Sequence, residues 1–112
     1  MHIYKILRAE EWAALQASGE TPGAPIDVAD GFIHLSTAQQ VRETAARHFA
    51  EVDGLILATL DADTLGDLLT WEVSRGGALF PHLYGPLRLT DVIAHAPLPL
   101  VDGVHVFTDS IP

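Results

Sequence analysis

With 112 residues, 48% of them hydrophobic and 19% charged, the chain has the length and composition of one globular domain, not of a disordered segment or a two-domain protein. Six Lys and Arg against 15 Asp and Glu give a formal net charge of −9, which leaves few cations to neutralise a phosphate backbone, so nucleic acid is not an expected partner. The absence of cysteine excludes disulfides, thiolate nucleophiles and thiolate metal sites.

The opening HIYKIL places Ile3 and Leu7 on one face and Tyr4 and Ile6 on the other, which predicts a strand. Lys5 and Arg8 interrupt the apolar run that a signal peptide needs, and no stretch approaches the ~20 apolar residues of a membrane span. A cytosolic protein without a membrane partner is therefore expected. AEEWAALQASG follows with Trp12 and Leu15 at helical spacing, acidic residues in the first turn and Gly19 as a stop. ETPGAPIDVADG holds two prolines and no helical period and is predicted to be an ordered loop.

FIHLS is a short β-type run, and Ser36 with Gln39, or Thr37 with Gln40, supplies a capping box for a helix in which Val41, Ala45, His48 and Phe49 share a face. That helix is predicted to end near Asp53 and Gly54. Leu55 to Leu60 is apolar on both faces, as in a covered central strand. DADTLGD is a turn or a single helical turn, LLTWEV a strand and SRGG a break. In LFPHLYGPL, Pro81 and Pro86 hold Phe80 and Gly85 extended. DVIAHAPLPL, at an edge because Pro97 and Pro99 cannot donate, and GVHVF close the chain as strands. These elements predict one α+β domain over residues 1–112, a mixed β-sheet with two main helices.

Alternation in an extended segment puts Phe32, His34 and Ser36 on one side, and Phe80, His82 and Tyr84 likewise. Two segments that each set an aromatic beside a histidine suit a ligand cleft with aromatic walls. His34 stands at the end of a strand, two residues before a helix start whose amides favour an anion; the plainer alternative is a half-buried histidine bonded to a backbone carbonyl. One of Ser36 and Thr37 is expected to cap the helix while the other hydroxyl reaches a ligand. Glu72 beside Trp71 suggests a carboxyl raised by desolvation, fit for acid–base work. Arg75 in SRGG is a candidate anion clamp. His34, His82 and Glu72 also form a candidate two-histidine, one-carboxylate metal set, although no local metal signature such as H-E-x-x-H occurs.

The segments DGFIHLST, LTWEVSRGG and FPHLYGPL, in this order and with an early EEW, resemble the DUF952 family of small bacterial and plant proteins, whose function is uncharacterised. The resemblance implies a fold like that of the ADP-ribosyltransferase group, which includes RNA 2′-phosphotransferases, and hence NAD or an ADP-ribose-like molecule as ligand. It further implies that His34 with Ser36 or Thr37 meets a ribose and that Tyr84 or Phe80 stacks on a flat ring. No glutamate follows Glu72, so the late catalytic glutamate of that group has no match in this chain. Three functions thus stand as expectations: a nucleotide-like ligand bound in a histidine and aromatic cleft with transferase chemistry by His34, His82 and Glu72; a non-catalytic module binding such a ligand or a protein; and a metal-dependent hydrolase. Phosphate contacts would fall to Arg75 and the helix start.

Overall fold

The computed structural model describes residues 1–107, apart from the side chain of Arg75. The elements run in chain order as β1 (His2–Leu7), α1 (Ala9–Ser18), β2 (Glu20–Thr21), α2 (Pro25–Asp30), β3 (Ile33–His34), α3 (Val41–His48), β4 (Leu55–Asp61), α4 (Ala62–Leu65), β5 (Leu69–Val73), β6 (Leu79–Leu83), β7 (Leu87–Arg88), β8 (Val92–Leu98), β9 (Leu100–Val101) and β10 (Val104–His105). Two three-stranded sheets carry the domain, in the orders β1-β4-β8 and β3-β6-β5, with the small pairs β2-β7 and β9-β10 beside them.

Every strand pairing among the described residues is antiparallel, so the predicted mixed sheet is corrected. Parallel neighbours need a long crossover returning to the same sheet. Here the long connections, among them those through α1 with α2 and through α3, carry the chain from one sheet to the other.

Alternation in β1 sorts its residues as the sequence indicates. Ile3 and Leu7 join one core cluster with Trp12, Leu15, Ala58 and Leu60, whereas Tyr4 and Ile6 join a second with Val41, Ala45, Leu55 and Leu57. The central strand β4 therefore packs on both faces. β8 takes the edge beside it, where Pro97 leaves no ladder donor unmatched. No helix among the described residues is long and apolar enough to cross a membrane.

Two boundaries differ from the sequence expectation. α3 ends at His48, one turn short of Asp53, with Phe49 as its C-cap. The predicted loop after Gly19 contains the helix α2. Its signals were compact: Pro25 begins the helix with a preset φ, Asp27 accepts the Ala24 N–H at 2.8 Å, and Gly31 ends it at φ 86°. Six residues are too few to show a helical period, which is why only turn chemistry was visible.

The two large sheets meet at a narrow seam. Tyr4 N donates to Ser36 O at 2.8 Å and Ser36 N to Tyr4 O at 2.9 Å, while Leu35 N donates to Pro81 O at 3.1 Å. The segment after β3 thus leaves β6 for β1 within two residues.

Candidate functional site

A cleft of about 420 Å³ lies along this seam. Tyr4, Ile6, Leu35, Phe49 and Phe80 supply apolar wall, and Asp27, Asp30, His34, Ser36 and His82 supply polar groups.

Its deepest polar element is Asp27, which α2 presents with the side chain fully buried. The carboxylate accepts from Lys5 Nζ at 2.8 Å and Ala24 N at 2.8 Å through Oδ2, and from His34 N at 3.1 Å through Oδ1. His34 Nδ1 lies 2.6 Å from Oδ1. Burial alone would raise this carboxyl, but the hydrogen bond from His34 and the charge of Lys5 outweigh it and hold Asp27 well below the usual carboxylate range. Lys5, itself buried on β1, also donates to His34 O at 3.2 Å. On the other side of the ring, His34 Nε2 lies 3.0 Å from Asp30 Oδ2, whose side chain is 42% exposed. His34 is therefore half-buried, as the plainer sequence reading has it, but its ring is bonded to the Asp27 carboxylate, with Asp30 at ion-pair distance, and not to a carbonyl.

β3 and β6 pair His34 directly with His82, so both rings stand on the same sheet face with centroids 5.6 Å apart. Phe32 stacks on His82 at 4.1 Å and tilts against His34 at 4.7 Å and Tyr84 at 5.3 Å. His82 Nδ1 lies 2.8 Å from Glu72 Oε1, and the Tyr84 hydroxyl donates to the same oxygen at 2.7 Å. Those two bonds, Tyr84 first, lower Glu72 from its ordinary value, and the bond to Glu72 raises the Tyr84 phenol. The expectation of a raised Glu72 is thus corrected. Trp71 faces the opposite side of β5 by alternation and does not desolvate its neighbour.

The other expected residues divide. Phe80 is buried and lines the cleft; Phe32 packs on both histidines, and Tyr84 packs on Phe32. Ser36 lines the cleft but bonds Thr44 Oγ1 at 2.9 Å in place of capping a helix. Thr37 is buried at the start of the turn into α3, where Gln40 Oε1 takes its N–H at 3.0 Å and Gln40 Nε2 donates to Leu79 O at 2.7 Å. Only the glutamine arm of the expected capping box forms, and it occupies an amide that was to meet an anion. The side chain of Arg75 lies outside the described part of the structure. His34, His82 and Glu72 do not converge on one point, and among the described residues no three His, Asp or Glu side chains are placed to hold a metal ion. The reason is visible in the partners: each histidine Nδ1 is turned to its own carboxylate.

Sequence reasoning missed Lys5, Arg8, Asp27, Asp30, Thr44 and His48, all of which line the cleft. Asp27 and Asp30 were hidden in a stretch read as a loop, yet their i,i+3 spacing puts both on one helix face. Lys5 offered a clearer signal, since a lysine between aliphatic residues in a strand covered on both sides must find a buried anion. Arg8 sits at the rim with its guanidinium 4.9 Å over the Phe49 ring.

Gly23 ties the loop to this network. At φ +107°, a Cβ there would fall 2.6 Å from Asp27 Cβ and 2.7 Å from Oδ2. Gly23→Ala is expected to cost at least about 2 kcal/mol in urea unfolding, through clash and backbone strain together. An unchanged urea midpoint would show that the loop gives way freely.

Antiparallel sheets joined at a seam and a histidine-carboxylate cleft along that seam define a small α+β domain whose polar groups converge on a concave site. The chain belongs to the DUF952 family, described as a protein of unknown function, whose model matches residues 6–95. It is similar to protein CC0527 from Caulobacter crescentus: the crystal structure of that protein is 48% identical, covers 99% of this chain and 98% of its own, and superposes with a TM-score of 0.95. The solution structure of CC0527 is 51% identical over 92% of this chain and 90% of its own, with a TM-score of 0.83. No curated protein matches the chain.

Proposed function

We propose that the cleft binds an NAD-related or other nucleotide-like small molecule, of which ADP-ribose is the simplest representative, and serves a transferase reaction on it. The observation that carries this reading is the buried Lys5–Asp27–His34 network, which fixes a histidine against a concave space of about 420 Å³ with apolar walls. That volume falls within the range of small-molecule sites, and a few oriented polar groups among apolar walls are their usual composition. His34 meets a ribose hydroxyl, Phe80 walls the flat ring, and Arg8 at the rim takes the phosphate contact that the sequence suggested for Arg75. The resemblance to the ADP-ribosyltransferase group supports the choice of ligand but adds no geometry of its own.

Thermal denaturation and calorimetry with NAD and ADP-ribose test this. Saturating ligand at about 100 times its dissociation constant adds roughly 2.7 kcal/mol to wild-type stability; His34→Ala and His82→Ala are expected to lose most of that gain. If neither compound shifts the wild-type midpoint, the reading falls. A second reading, a non-catalytic binding module, is favoured by one observation: Glu72 is committed to Tyr84 and His82, and no later glutamate exists to replace it. Nicotinamide release during incubation with NAD marks the enzyme; binding without release marks the module.

A further inference from the structure

We propose that His34 and His82 form an acid–base pair of fixed polarity, His34 holding the proton to be given and His82 offering the lone pair that takes one. The substrate class rests on the ligand reading above, whereas the polarity rests on the protein alone.

His34 has carboxylate oxygens at both nitrogens, Asp27 Oδ1 at 2.6 Å from Nδ1 and Asp30 Oδ2 at 3.0 Å from Nε2. Only the Asp27 contact has hydrogen-bond geometry, and Asp30 approaches Nε2 at ion-pair distance; since an ionised carboxylate has no proton to offer, both approaches are favourable only when both nitrogens carry protons. Asp27 is not the proton holder, because its oxygens already accept from Lys5, Ala24 N and His34 N. Asp30, at the half-exposed end of α2, is the partner that an entering ligand displaces from Nε2.

His82 has one carboxylate and not two. Glu72 Oε1 already accepts the Tyr84 hydroxyl, so it accepts again from His82 Nδ1–H and sets that tautomer. Nε2 is then the basic nitrogen. His82 is 4% exposed and lines the cleft, yet among the described residues Nε2 has no hydrogen-bond partner. A buried ring nitrogen with nothing in the protein to accept from is rare outside sites that meet a ligand. Phe32, stacked on one ring and tilted on the other, keeps the two imidazoles in their relative positions.

The pair suits substrates in which an oxygen leaves phosphorus or an anomeric carbon. His82 Nε2 takes the proton of an attacking water or hydroxyl as that oxygen's electron pair forms the new bond. The pair of the breaking bond goes to the departing oxygen, which receives the Nε2 proton of His34. The two rings exchange protonation states, solvent restores them, and no redox partner is needed.

Long-range proton–nitrogen NMR correlation on the isotope-labelled full chain near neutral pH, without added ligand, reads the nitrogens directly. Expected are two protonated nitrogens on His34, and on His82 a protonated Nδ1 with an unprotonated Nε2. Glu72→Gln offers an amide N–H to Nδ1 and is expected to move the His82 proton to Nε2, a change that a merely structural Glu72 would not produce. A neutral His34, or a wild-type His82 already protonated at Nε2, overturns the pair even if NAD or ADP-ribose binds. Failure of those ligands to bind, with the nitrogens as described, overturns the ligand reading and leaves the pair standing.

Discussion

Asp27→Asn is expected to lower the unfolding free energy by about 3–5 kcal/mol, the usual cost of removing one partner from a buried ion pair. For a chain of this size that is a fall in Tm of more than ~10 °C. The amide keeps the volume but returns a donor where the carboxylate accepted, so it faces Lys5 Nζ, two backbone N–H groups and His34 with half the acceptor capacity. The double variant Lys5→Met with Asp27→Asn is expected to recover part of the loss, since no buried charge is then left alone. The pH dependence carries a sign. Asp27 is depressed from its ordinary value of 3.8, so its contribution is complete above the ordinary carboxylate range and drains away as the pH falls through that range towards the folded-state value. The gap in urea midpoint between wild type and Asp27→Asn is therefore expected to be wide at neutral pH and to narrow in acid, from about pH 5 downward. A gap that is constant with pH would mean that Asp27 is not ionised in the folded protein.

Leu60→Ala is expected to cost a similar amount, about 3–4 kcal/mol, by a different route. Leu60 is fully buried in β4, between β1 and β8, and its side chain belongs to the cluster of Ile3, Trp12 and Leu15. Loss of three carbons there leaves a void that the antiparallel ladders on both sides prevent from closing. Thermal unfolding checks the magnitude. Because Leu60 faces away from the cleft cluster, the folded variant is expected to bind ADP-ribose as the wild type does, so the two substitutions separate loss of core from loss of site.

The regular parts of this fold were legible because their signals are periodic. Residues 2–7 and 55–60 read as strands from their alternation or continuous apolarity, and α1 from the spacing of Trp12 and Leu15 together with Gly19. The adjacency of His34 and His82 was legible only as a shared pattern, aromatic then histidine two residues on; the register that sets one ring against the other is a long-range fact that neither segment contains. Strand direction was misjudged for the same reason, since local pattern does not say which sheet a crossover returns to. The charge network was the least visible part. Lys5 and Asp27 are 22 positions apart, and each looks ordinary among its own neighbours. Composition also misled at Glu72, where sequence adjacency to Trp71 suggested contact although successive strand residues face opposite ways.

The seam has a consequence for how this chain tolerates change. Within the stretch from Ile33 to Ser36, backbone hydrogen bonds go first to β6 and then to β1, and the same four residues set His34 and Ser36 at the cleft. Scaffold and chemistry are written there in different alphabets: residue identity serves the cleft, while residue count serves the joint between the sheets. An exchanged side chain alters one without the other. A single inserted or deleted residue shifts the phase of both ladders at once and turns the histidine to the opposite face, so drift in length along this stretch is far more tightly constrained than drift in composition.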